Sequence, residues 1–120
     1  MVNYRMGALV AISSIAFSLD TNCVDYFPLF LEQVLKCLED SDNKVRYYTS
    51  ETLYNIAKAA NTRILRYFDQ FLYAACQLFA DDDTDVKKIS FINTICSFLH
   101  YTELLYSIVV SRRSFPKVRM

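Results

Sequence analysis

One glycine and two prolines in 120 residues leave this chain little of the chemistry from which tight turns are made. A fold of many short strands needs a turn at each reversal, so long helices joined by short polar connections are what remains. A lone glycine cannot build a glycine-rich phosphate cradle, and no nucleophile motif stands elsewhere. The single histidine, His100, has no placeable catalytic partner, so the chain is expected not to be an enzyme and to carry no cofactor. Net charge is also absent, with 13 basic against 13 acidic residues and no Lys/Arg cluster along a helix before the basic C-terminal end. That balance argues against nucleic acid as a partner. Cys23, Cys37, Cys76 and Cys96 are scattered without a C-x-x-C pair, which fits reduced thiols packing as small hydrophobes in the cytosol; zinc would need closely spaced ligands.

What the chain does have is Leu, Ala, Phe and Tyr in helical rhythm. In the stretch from Asp42 to Lys58, Val45, Thr49, Leu53 and Ile56 recur every three or four residues, continue to Ala60, and share one face. Asp42 is placed to accept from the free N–H groups of the first turn. Tyr47, Glu51, Tyr54 and Lys58 recur on a second face.

A shift of 41 residues carries this pattern backwards and forwards. Arg46 falls on Arg5, Leu53 on Ile12 and Ala57 on Ala16, while Asp40, Asp42, Val45 and Arg46 fall on Asp81, Asp83, Val86 and Lys87. A period shared by two helices and their turn lies in the range of HEAT and armadillo repeats, roughly 40–47 residues. The fold class expected is all-α, an α-solenoid of HEAT/armadillo-like hairpins.

In order, 4–18 reads as the second helix of a half repeat, 24–60 as a full repeat, and 63–88 onward as the next. A chain opening in mid-repeat is expected to be a piece of something longer, because each repeat buries its face only against neighbours. The same register argues against reading the apolar run from Met6 to Ile12 as a signal peptide. The first helices are expected over 24–38, with Phe27, Phe30, Leu31, Val34, Leu35 and Leu38 inward, and over 63–79, with Leu65, Phe68, Leu72, Ala75 and Phe79 inward. Asp81-Asp82-Asp83-Thr84-Asp85 lacks the rhythm of a calcium loop and is read as a capped, solvated turn. From Ile89 the pattern frays, and 89–120 is read as a divergent apolar helix with a basic tail, packed or partly disordered. Its 22-residue apolar stretch, 89–110, is interrupted by Asn93, His100 and Glu103, which disfavours a bilayer span.

Val45-Arg46-Tyr47-Tyr48, Glu51, Leu53-Tyr54-Asn55-Ile56-Ala57-Lys58, Leu65 and Tyr67-Phe68, with the earlier Gly7-Ala8-Leu9-Val10-Ala11-Ile12, resemble the N-terminal HEAT repeats of the Vac fourteen (ArPIKfyve) family. The likeness covers about residues 4–88; beyond Lys88 the family's leucine-rich helix has no counterpart, as in a truncated or spliced product. The resemblance implies a non-enzymatic scaffold that is cytoplasmic and peripheral on vacuolar or endosomal membranes. It implies a PIKfyve-type lipid kinase as partner, supporting synthesis of phosphatidylinositol 3,5-bisphosphate, and a Sac-type phosphatase through the full-length complex. A generic HEAT/armadillo adaptor with another client is the alternative.

In the HEAT pattern, turn Asp and following basic residues form a ladder, and Asp40 with Arg46 and Asp81 with Lys87 occupy those places. The Tyr47, Glu51, Tyr54, Lys58 stripe has two open readings. Aromatics interleaved with charge suit a partner-binding face, and the same tyrosines suit packing against a neighbouring repeat with their hydroxyls at the rim.

Overall fold

The computed structural model describes residues 2–113, so residues 114–120, most of the expected basic tail, lie outside it. Five α-helices follow one another among the described residues: α1 (Val2–Leu19), α2 (Phe27–Lys36), α3 (Asn43–Ala60), α4 (Phe68–Phe79) and α5 (Thr84–Arg113). No strand occurs among these residues, and the helices pair as stacked hairpins, in keeping with an all-α solenoid. The long helices α1, α3 and α5 form one layer, with α3 between the other two; α2 and α4 form the second.

The expected polar linkers are instead 3₁₀ segments, Asp20–Tyr26 and Asn61–Tyr67, each running directly into the helix that follows. Each begins with a residue at positive φ, 53° at Asp20 and 56° at Asn61. A chain with almost no glycine uses Asp and Asn at these reversals, the residues that tolerate such backbone best. Pro28 sits in the first turn of α2, where its missing N–H costs no helical bond.

The core is continuous through the stack. Phe27 is its centre, packed edge-on to Phe30 and Tyr67 with ring centroids 5.6 and 4.8 Å away and tilted against Phe71 at 6.3 Å. Val45, Leu53, Ile56 and Ala60 of α3 are buried as their spacing predicts. Thr49 and Ser90 are buried polar groups at matching places, and each donates its hydroxyl to the carbonyl one turn back, Val45 or Val86, at 2.7 Å. Neither is left unpaired, so neither weakens the core as a bare hydroxyl would.

One expectation is corrected. In α2 the predicted stripe is inward, but in α4 Phe68, Leu72 and Phe79 are 54, 50 and 42% exposed and Leu65 is also exposed. The residues that turn inward there are Ile64, Tyr67, Phe71, Ala74 and Leu78. The physical reason is cover: α2 has α4 lying across that face, and no described element lies across the corresponding face of α4. The apolar helix expected from Ile89 is part of α5, which runs without interruption to Arg113. The polar residues at the fray bond across to α3: Asn93 donates to Ser50 Oγ at 3.3 Å and Glu51 Oε1 at 2.9 Å, and Tyr101 donates to the Ala57 carbonyl at 3.4 Å.

By length and composition the helical stretch Val2–Glu39 is apolar enough to cross a membrane. It is bent into α1, α2 and their 3₁₀ segments, and its Leu9, Ala16, Phe27, Leu31 and Val34 are core residues.

Candidate functional site: the outward face of the long helices

Of the long helices, α3 and α5 start at acidic turns that fix the three relative to one another. Asp42 accepts from the Lys44 N–H at 2.8 Å, as expected of a cap, and Asp83 accepts from Asp85 and Val86 at 2.9 and 3.1 Å. Asp40 and Asp81 each accept from the N–H two residues on, Asp42 and Asp83. With its carboxylate so engaged, each Asp reaches sideways to the arginine of the preceding long helix.

The ladder therefore has different rungs from those expected. Arg46 pairs with Asp81, not Asp40, through Nε at 2.7 Å and Nη2 at 3.2 Å, and its Nη1 donates to the Asp40 carbonyl at 2.8 Å. Asp40 is held by Arg5, whose Nη2 donates to Oδ1 at 3.1 Å. Lys87 is exposed and forms no ion pair among the described residues. Burial opposes ionisation of Asp40, but the Arg5 guanidinium and the Asp42 N–H outweigh it and hold the pKa below the usual carboxylate range. Asp83 is lowered by the Asn43 amide, 2.6 Å away, and then by backbone N–H groups. The acidic turn is thus occupied by caps and cross-links.

The candidate stripe lies on α3 opposite its core face. Tyr47, Glu51 and Tyr54 are half-buried and Lys58 is exposed, with the Lys58 ammonium 6.0 Å from the centroid of the Tyr54 ring. Glu51 accepts from Asn93 at 2.9 Å, which anchors its carboxylate between α3 and α5.

Two cavities follow the groove between α3 and α5 on this side. One, of about 520 Å³, has Lys44, Tyr47, Tyr48, Asp85, Lys88 and Ile92 among its lining. A smaller one, of about 80 Å³, is lined by Tyr54, Lys58, Ser97, His100 and Tyr101. Burial pushes the Tyr101 hydroxyl up to about 12, so it stays a neutral donor to α3. His100 packs beside it, with ring centroids 5.6 Å apart, and lines the smaller cavity together with Lys58 and Ser97. The groove offers aromatic and aliphatic walls with a few charges, which suits recognition of a protein segment.

The stripe does not end at α3. Moved by 41 residues it falls on Met6, Val10, Ser13 and Phe17 in α1 and on Lys88, Ile92, Ile95 and Leu99 in α5. Val10, Phe17, Ile92, Ile95 and Leu99 are exposed. Sequence reasoning missed these five, although applying the repeat shift to the stripe itself would have found them.

A family model described as the Vacuolar 14 Fab1-binding region matches residues 3–95. Among curated proteins, the VAC14 homolog of Schizosaccharomyces pombe is 39% identical over 86 residues, 72% of this chain and 11% of the relative. The VAC14 homolog of Arabidopsis thaliana is 34% identical over 86 residues, 72% of this chain and 12% of the relative. Vacuole morphology and inheritance protein 14 of Saccharomyces cerevisiae is 37% identical over 84 residues, 69% of this chain and 10% of the relative. The aligned part thus spans about a tenth of each relative's length. No solved structure matches.

Proposed function

Because this chain belongs to the Vacuolar 14 Fab1-binding family, we propose that it is a non-enzymatic scaffold segment whose work is to hold a Fab1-type, or PIKfyve-type, lipid kinase. The outward face of α1, α3 and α5 is the contact surface, with Tyr47, Glu51, Tyr54 and Lys58 at its centre. Held this way, the kinase converts phosphatidylinositol 3-phosphate to phosphatidylinositol 3,5-bisphosphate at vacuolar or endosomal membranes. The chain reaches the membrane peripherally through its partners, and a Sac-type phosphatase joins through the longer assembly. The observation that carries this reading is the family match over residues 3–95, which takes in α3, nearly all of α1 and the first part of α5.

The test is capture of a full-length Fab1-type kinase by the purified chain. A paired Tyr47→Ala and Tyr54→Ala change should keep the helical circular dichroism and weaken capture by roughly tenfold or more, the size expected for losing aromatic anchors. Equal capture by wild type and mutant would return both tyrosines to packing within the stack.

A further inference from the structure

Apolar side chains on the open sides of a helical stack expose themselves for want of a neighbouring hairpin. The outward face is a different case. On α3, flanked on both sides by α1 and α5, the same column of residues still reaches solvent. The exposure of its counterparts therefore belongs to the face and not to the ends of the stack. Five of the eight counterparts are large, apolar and exposed: Val10 and Phe17 on α1 are 50 and 48% exposed, and Ile92, Ile95 and Leu99 on α5 are 54, 43 and 58% exposed, while Ser13 is buried and Lys88 is an exposed charge. The face thus has three bands, apolar at Val10 and Phe17 on α1, charged and aromatic on α3, and apolar on α5 from Ile92 onward.

Resting on the kinase-holding reading, we infer that the occupant of this face is one amphipathic helix of the kinase, laid across α1, α3 and α5 with apolar side chains at both ends and polar ones in its middle. Packed helices lie about 8–10 Å apart, so the two apolar bands stand roughly 20 Å from each other, a distance that a helix of about 13 residues spans. An apolar side chain at each end enters a band, in the way that anchor residues of a docked helix enter a groove. The middle meets Glu51, whose carboxylate Asn93 already holds in place, and the exposed Lys58, whose ammonium lies 6.0 Å from the Tyr54 ring, so a basic and an acidic group are needed there. Charge in the central band selects a helix over a lipid surface, because hydrocarbon would take Glu51 and Lys58 out of water with only the Asn93 amide and the Tyr54 ring beside them. It also gives specificity, since a uniformly apolar helix would bury both groups without an opposite charge.

Three variants of the 120-residue chain are compared with wild type in capture of the full-length kinase: Val10→Ser with Phe17→Ser, Ile92→Ser with Leu99→Ser, and Glu51→Lys with Lys58→Glu. All six positions lie on the outward face, and circular dichroism melts check that each variant folds. Each apolar double change should weaken capture by tenfold or more, and the charge exchange by a similar factor that shrinks as salt is raised. Kinase capture unchanged by both apolar variants overturns the inference while leaving the scaffold reading standing. No capture by wild type overturns the scaffold reading itself. Two further outcomes also overturn the inference: concentration-dependent self-association of wild type that the apolar variants abolish, or their loss of binding to vesicles of neutral and anionic phospholipid with no change in kinase capture.

Discussion

Helices α2 and α4 carry almost the same apolar pattern and end in opposite states. Phe27 is 1% exposed and Phe68, one repeat later, is 54% exposed. The difference is made by what lies across them: Phe27 meets Tyr67 and Phe71, while no described element crosses the matching face of α4. Helical spacing in a repeat tells which residues share a face, and the neighbour decides whether that face is core. α4 compensates by turning Phe71, Ala74 and Leu78 toward the stack, with Ile64 of the preceding 3₁₀ segment.

The contrast can be broken most forcefully at these two phenylalanines. Phe27→Ala should lower unfolding free energy by about 3–5 kcal/mol, since it empties the aromatic centre of the core. Phe68→Ala should cost less than about 1 kcal/mol, as for other half-exposed positions. Urea melts of the two variants measure both, and equal losses would mean that α4 is covered as fully as α2. A smaller effect sharpens the same point among the charges. Arg46→Ala removes two bonds to Asp81 and one to the Asp40 carbonyl and should cost on the order of 1–3 kcal/mol. Lys87→Ala should change stability by less than about 0.5 kcal/mol.

The helical class was legible because apolar residues recur at three and four, whereas the shortness of α2 and α4 was not, since the first helices were expected over 24–38 and 63–79. The cap at Asp42 was legible from residue type alone. The ladder was only half legible: the sequence marks Asp40, Arg46 and Asp81, but an arginine side chain is long enough to choose between its own turn and the next. Geometry resolves the choice in favour of Asp81. Lys87 has the sequence place of a rung and no ion pair among the described residues, because position is not partnership. The apolar helix expected from Ile89 continues α5, and what the sequence alone did not show is that Ser90 and Asn93 bond to Ser50 and Glu51 opposite them. The outward apolar bands were written in the sequence but needed the stack to separate them from the core, as Val10 and Leu9 look equally apolar and only Leu9 is buried.

Hydroxyl-radical footprinting of the chain, free and bound to a full-length Fab1-type kinase, tests the central claim directly. Binding through the outward face predicts protection of Phe17, Tyr54 and Leu99, with Phe68 and Leu72 on the open side of α4 labelled as strongly as before. Protection of Phe68 and Leu72 with Phe17 and Leu99 unchanged would contradict it.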